Sequence, residues 1–545
     1  MQKHNGAWIV GFSVLFSACV TVGRRITFSG DVISKIAENY ISGFSGWDAL
    51  IFVCLAAVTF CVLSALDRLD MDRICLCPGG RRHPARFACL AAACLLLCWL
   101  PYLLTVAPGI VYPDSMESIG QMLRHGHPTS NHHPLFYTLA VGVFLKLGTM
   151  LWGSVSAGVL LYSAFQTLVM LGCIVLLLTI LYARRVRGVL LALAFAFFAC
   201  VPVFPNFAMT VQKDPLYACM LLLLSILLYA LSRREQVGLW WPVCYAVAGI
   251  GTMMMRNNGL YVFAATSVIA LWLERRHARR LLAASAVALA VYGSLFAVAT
   301  RVWNVQSDFG ENVGIPLQQL GYAINHGGRF AEEEQAYLFR LMPEEVWHYA
   351  YRPCLVDPIK WNPQFDYEFL WESKAEFFRV WLGGLIKNPL QYVRAYVLAT
   401  FGFWKPGVQN TYGYAEVRET SNRYGIGFMD LFERLFGFSL MDTIRSAPVI
   451  LGSGTLLWLS LLGCLLSVLR RREGLAPYLP ALLNWATVMI ATPVAFSLRY
   501  VFVFALGLPL YLLLPVLIGQ KTEAETAQSL DTGGVIAYNI SDIRQ

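Results

Sequence analysis

The chain reads as an all-α polytopic membrane protein with about 12 transmembrane helices, juxtamembrane helices and a long outer loop. Three observations predict this. Of 545 residues, 57% are hydrophobic and only 14% charged, and mean hydropathy is +0.56. Apolar runs recur at the ~20-residue length that crosses a ~30 Å hydrocarbon core, where helices satisfy their own backbone groups. Basic residues fall in short clusters between those runs, as in cytoplasmic loops. The same clustering argues against nucleic acid as a partner, despite a formal net charge of +9.

The expected spans are Ala7–Val22, Trp47–Leu66, Ala88–Val106, Ser154–Tyr182, Gly188–Val203, Pro215–Leu231, Gly238–Met255, Gly259–Leu273, Leu281–Thr300, Val449–Leu469, Pro477–Phe496 and Tyr500–Ile518. The N-terminus shows no small-residue cleavage site, so its apolar run reads as a retained anchor. Basic clusters follow even-numbered spans: Arg68, Arg73, Arg81, Arg82 and Arg86; Arg184, Arg185 and Arg187; Arg233 and Arg234; Arg275, Arg276, Arg279 and Arg280; Arg470, Arg471 and Arg472. One orientation, with a cytoplasmic N-terminus, explains them all; Arg24 and Arg25 are the exception. This holds only if Leu135–Trp152, which carries Lys146, lies along the outer interface as an amphipathic segment instead of spanning. The resulting plan is 1–87 (two additional helices and a basic loop), 88–300 (transmembrane core with a first outer loop), 301–447 (outer loop with amphipathic helices), 448–519 (terminal spans) and 520–545 (a polar, disordered tail). Within the outer loop, Phe377–Ile386 and Leu390–Trp404 read as aromatic-rich amphipathic stretches, and the second, which contains Arg394, reads as interfacial and not spanning. Most of the 14 cysteines lie in apolar segments. They imply no disulfide framework, and Cys75 and Cys77 alone make a poor metal site.

Several polar elements should share the outer face. Asp114, Glu117, Ser118 and Gln121 recur at helical spacing on one face. Asp114 and Glu117 fit a capping box, and Asp114 also fits a general base at the water–lipid boundary. In Asn131-His132-His133-Pro134, the adjacent histidines suit phosphate contacts, a turn or a metal; because they point apart, no metal ligand is assigned. No cofactor is assigned either, with a divalent cation left possible. In Gln212-Lys213-Asp214-Pro215, Asp214 suits an N-cap and Pro215 the first helical turn, while Lys213 suits an anionic group. Arg256-Asn257-Asn258-Gly259 fits a tight turn of left-handed residues or, through Arg256 and Asn257, forked phosphate recognition. Arg499 and Tyr500 fit an interfacial anchor or a further substrate contact.

The order of these elements resembles the glycosyltransferase C superfamily, in particular the protein O-mannosyltransferases and lipid A aminoarabinose transferases. Those proteins have an acidic residue after an early span, a short juxtamembrane helix, a Pro-containing motif such as His-Pro-Pro-Leu opening a second one, a long span ending in basic residues, and an Asp opening a later span. The matches here are Asp114, the helix to Arg124, His133-Pro134-Leu135, the Ser154–Tyr182 span with its arginines, and Asp214-Pro215, over about Thr105 to Ala230. The family also has Leu135–Trp152 as non-spanning. Two departures are Asp114-Ser115 in place of the frequent Asp-Glu pair, and the two additional helices at the start. The resemblance implies a cell-membrane, multi-pass enzyme with a non-cytoplasmic active face. It would move a sugar from a polyprenyl-phosphate donor to a glycan, lipid or protein acceptor. Asp114 would deprotonate the acceptor, and Arg256, Lys213 or Arg499 would stabilise the departing phosphate. Direct displacement, needing one carboxylate, would invert the anomeric centre. Glu117, Gln121, His132, His133, Asp214, Asn257 and Tyr500 complete the expected substrate site.

Two other classes compete. A transporter or flippase would show repeated halves and polar groups at the midplane, which the sequence lacks. A non-enzymatic envelope-assembly protein would need no cations near Asp114.

Overall fold

The computed structural model describes residues 2–34, 36–78, 82–233, 238, 240–306, 309–408, 422–446, 451–470, 474–491 and 494–518. Arg81, Arg234, Arg471, Arg472, Ala447 and the tail from Lys521 lie outside the described residues. The protein is a polytopic helical membrane protein. Its bundle helices are α1 (Gln2–Arg24), α2 (Gly46–Arg68), α3 (Pro84–Thr105), α4 (Pro113–His125), α5 (Leu135–Trp152), α6 (Val155–Ala183), α7 (Gly188–Cys200), α8 (Lys213–Ser232), α9 (Trp240–Met255), α10 (Gly259–Leu273) and α11 (Ala278–Trp303). After a helical subdomain that includes α12 (Gly314–Asn325), α13 (Lys374–Lys387) and α14 (Pro389–Thr400), the bundle closes with α15 (Ser453–Arg470), α16 (Leu479–Ala491) and α17 (Phe502–Leu517).

Among the described residues, nine helices are long and apolar enough to cross a membrane. Eight coincide with expected spans, and the ninth is α5. The remaining expected spans are the shorter helices α7, α9, α10 and α16.

Length and composition alone would let α5 span; its contacts do not. Its first turn meets α6 through Tyr137 and Tyr162, with ring centroids 6.2 Å apart. Its last turn joins α6 through Gly153 and Ser154. The stretch of α6 between those two points rises about 10 Å, whereas α5 is about 27 Å long. Helix α5 therefore crosses α6 obliquely, with both ends near one end of α6. Glycines permit the crossing: a Cβ at Gly148 would lie 2.1 Å from the Gly158 nitrogen.

The basic clusters gather at one end of the bundle. Leu76 forms a β-bridge with Val186, Arg470 Nη2 donates to the Leu69 carbonyl at 2.8 Å, and Ser232 at the end of α8 donates to Glu274 after α10. We call this end the arginine face and the opposite end the site face. Arg25 lies at the site face, bound to Asp48 and Ser45 at the start of α2. The additional pair α1–α2 docks on α15, whose Trp458 meets Phe12 and Phe16 edge-on at 5.3 and 5.0 Å.

The subdomain on the site face has its own core, built from Leu317, Leu320, Trp347, Val356, Phe377 and Tyr392 among others. It also takes in Ile26 of strand β1 (Ile26–Thr27), which pairs antiparallel with β2 (Tyr40–Ile41).

Candidate functional site

Three chain segments bring their first helical turns to the site face. Helix α4 opens with Pro113 in its first turn after the extended Tyr112 and closes on left-handed Gly126, φ 71°. The expected capping box at Asp114 is not formed. Proline takes the first position, where an N–H would go unbonded anyway, so Asp114 falls one turn position inside the helix and its carboxylate is free to point elsewhere. Asp214 differs in the same way: Gln212 occupies the cap position of α8, and Asp214 lies in the first turn. The turn before α10 uses right-handed Asn258, φ −73°, so no left-handed residue is needed there; Gly259 is required instead by the Thr252 carbonyl, 2.2 Å from where its Cβ would stand.

A six-residue helix, Val203–Ala208, and the irregular residues after it lead into Lys213, and their free carbonyls sit where water is scarce. Side chains of neighbouring helices satisfy them, as membrane burial demands. Gln166 Nε2 donates to the carbonyls of Phe207 and Thr210. Ser115 and Tyr137 both donate to Val211, at 2.5 and 3.0 Å, and Tyr162 donates to Gln212 at 3.2 Å. Asn484 in α16 is a second hub. It accepts from Tyr217 at 3.0 Å and from Asn258 at 3.4 Å, and donates to the Tyr500 carbonyl at 2.8 Å. These two amides fix the relative positions of α8, the α9–α10 turn and the turn carrying Arg499.

On that frame the charged groups form a continuous chain. Arg499 Nη1 donates to Asp114 Oδ2 at 3.0 Å and to the Tyr112 hydroxyl at 3.1 Å, and Nη2 donates to the Tyr500 hydroxyl at 2.9 Å. The Tyr500 ring also lies 5.0 Å from the Arg256 guanidinium, which pairs with the buried Asp214. Lys213 Nζ lies 3.0 Å from His133 Nδ1. His133 Nε2 lies 3.1 Å, and His132 Nε2 3.8 Å, from Glu117 Oε2.

Burial works against ionisation of Asp114, but Arg499, Lys213 and His133 outweigh it and hold the carboxyl well below the usual carboxylate range. Glu117 follows the same logic, with burial overcome by its bond to His133. Burial, then the nearby Lys213, pushes the His133 ring below its ordinary value. Glu117, His132 and His133 bring ligand atoms within 4.8 Å of one another. One carboxylate oxygen and two imidazole nitrogens suit a divalent ion with open coordination positions.

Of the residues expected from sequence, Asp114, Glu117, His132, His133, Lys213, Asp214, Arg256, Arg499 and Tyr500 meet in this network. Gln121 joins its edge, donating from Nε2 to Glu117 Oε1 at 3.4 Å while Oε1 accepts from Thr129 N at 3.0 Å; Asn257 binds backbone, donating to the Asn131 carbonyl at 2.9 Å. Four neighbours have no role assigned from sequence, although Gln212 belongs to the motif before Pro215. Tyr112 and Asn484 are those described above. Trp361, from the subdomain, meets His132 edge-on at 5.3 Å. Both amide atoms of buried Gln212 find no hydrogen-bond partner among the described residues. An amide in an apolar helix, as at Asn484, is the one signal that could have been read; Trp361 arrives from a distant segment that carries none.

Fold and site thus define a polytopic helical membrane protein with a charged network at one membrane face. The profile of DUF6020, a family of unknown function, matches residues 125–529, so the chain belongs to that family; Asp114 and Glu117 precede the matched segment. No curated protein matches the chain. Among solved structures, ArnT from Cupriavidus metallidurans in the apo state is 14% identical, with 80% of this chain and 77% of that one covered and a TM-score of 0.31.

Proposed function

We propose that the protein is a membrane glycosyltransferase that moves a sugar from a polyprenyl-phosphate donor to a glycan, lipid or protein acceptor. One observation carries this reading: a partly exposed carboxylate, Asp114, shares a network with three cations at a membrane face. Lys213, Arg256 and Arg499 are held there against Asp114, Glu117 and Asp214, so the unliganded network balances.

The charge arithmetic suits sugar transfer. As the acceptor hydroxyl attacks the anomeric carbon, its proton passes to Asp114. The bond from that carbon to the phosphate oxygen breaks, and the electron pair leaves with the phosphate. Asp114 loses one negative charge as the departing lipid phosphate gains one, so Arg499 can turn from the first to the second. Fixed cations aimed at developing charge are effective in a dry site.

The depressed proton affinity of Asp114 makes it a weak base at rest. A donor phosphate on Lys213 and Arg499 would offset the charges that depress it, so base strength would rise when the donor binds. Direct displacement with Asp114 as base inverts the anomeric centre.

Asp114→Asn tests this with purified protein and radiolabelled polyprenyl-phosphate sugars. The variant should insert and bind donor yet transfer at least 100-fold more slowly, about the contribution of a general base. Near-normal transfer by Asp114→Asn would remove the carboxylate from the reaction.

A further inference from the structure

The site-face subdomain carries an apolar stripe that its own core does not cover. In α13, Phe377 and Val380 are buried in the core, while Phe378, Leu382 and Ile386, at four-residue spacing, face outward; Ile386 is 81% exposed. Leu390 and Val393 of α14 continue the run, each 58% exposed. A stripe this regular on a folded subdomain marks an interaction surface.

Both ends of the stripe are tied to bundle helices where they leave the membrane. Phe309 follows Trp303, the last residue of α11, by six positions. Its ring lies 6.2 Å from Phe378 and 6.4 Å from Trp371. Helix α11 itself exposes Val298 and Val302 near its end, as a lipid-facing helix does. At the other end, the Tyr396 hydroxyl donates to the Met489 carbonyl at 3.0 Å, beside exposed Ile490 in the last turn of α16. The stripe is therefore continuous with the lipid-facing belt of the bundle. Residues 374–394 also carry Lys374, Arg379, Lys387 and Arg394; Arg379 pairs with Glu376 and Lys387 with Glu334, so Lys374 and Arg394 supply the basic excess of this segment. Lys374 Nζ stands over the Trp371 ring, 3.1 Å from the centroid, a cation–π contact that puts a positive charge beside the end of the stripe.

We infer that α13 and α14 lie in the leaflet of the site face, with Phe378, Leu382, Ile386, Leu390 and Val393 among phospholipid acyl chains. Interfacial helices bind this way, through a buried apolar face and a basic rim that favours anionic lipid. The subdomain then sits on the bilayer. This inference is independent of any reaction at Asp114.

Photo-crosslinking amino acids placed at Leu382 and Ile386 test it. The full-length protein is reconstituted in vesicles of phosphatidylethanolamine and phosphatidylglycerol. Val298 of α11 serves as the lipid-facing reference and Glu345 as the aqueous one. Irradiation should shift the intact mass by one phospholipid at 382, 386 and 298, with loss of that shift at 345. Cross-links between two copies at 382 and 386 would overturn the inference in favour of a dimer interface. Absence of lipid adducts at 382 and 386, with adducts at 298, would overturn it in favour of an open aqueous surface.

Discussion

His133 Nδ1 lies 3.0 Å from Lys213 Nζ; a charged ammonium can only donate, so with Lys213 protonated the contact requires a neutral ring. Burial and Lys213 lower its proton affinity, so the ring charges only below the ordinary histidine value of about 6.5. Between the native and unfolded values, the native state binds fewer protons, and stability rises with pH through that window. Asp114 and Glu117, both lowered, stay ionised there. We expect an acid limb in the pH–rate profile below about pH 6.5, and its loss in His133→Asn; an unchanged limb in that variant would assign it elsewhere. The Arg256–Asp214 pair makes a second residue-scale prediction. Asp214 is 1% exposed against 15% for Arg256. Arg256→Ala leaves a buried carboxylate unpaired, at a cost of about 3–5 kcal/mol. Adding Asp214→Asn should restore much of the lost Tm, measured in detergent. Equal losses in the single and double variants would show that the pair is not coupled.

Helices α5 and α6 decide where the histidines stand, because His133 precedes the first turn of α5. Their crossing rests on backbone meeting backbone at Gly148 and Gly158, so no rotamer change can relieve an added side chain. Gly148→Leu should cost at least about 1–3 kcal/mol, the range for overpacking, and should reduce activity by pulling His133 from Lys213. Gly172→Leu on α6, with open space around its Cβ, is the control expected to behave like the parent. Equal stability of the two variants would mean that the crossing is loose. The spanning helices were legible because twelve apolar runs and their arginines constrain one another. The non-spanning α5 was legible through charge parity and the family resemblance, not through its own length and hydropathy, which satisfy a span. The caps were misread at Asp114 and Asp214 for one reason: a cap depends on where the helix begins, and Tyr112 and Gln212 took those positions. Trp361 lies 229 positions from His132, and Asn484 lies 226 from Asn258 and 267 from Tyr217; the amide of Asn484 in an apolar helix is a readable signal, but its partners, like the role of Trp361, exist only once the chain has folded.

At the scale of the whole molecule, the division of charge between the two ends gives the protein a direction. Arg68, Arg184, Arg185, Arg187, Arg275 and Arg470 belong to one face, and the network of Asp114 and Arg499 to the other. Short basic loops stay in the cytoplasm because moving their cations across the membrane is unfavourable, while long segments such as 301–447 cross largely regardless of charge. The site should therefore face away from the cytoplasm, where lipid-linked sugars can meet acceptors beyond the cell membrane. Epitope insertion decides the direction without any assay of activity. Gly327 sits in an exposed turn of the site-face subdomain with φ 65° and open space around it, and Pro78 is exposed on the arginine face. An epitope at Gly327 should be reached by antibody in intact cells, and one at Pro78 only after permeabilisation. The reverse pattern would put Asp114 in the cytoplasm, where soluble nucleotide sugars could serve as donors, and the cations of the network would then need a different anion to explain them.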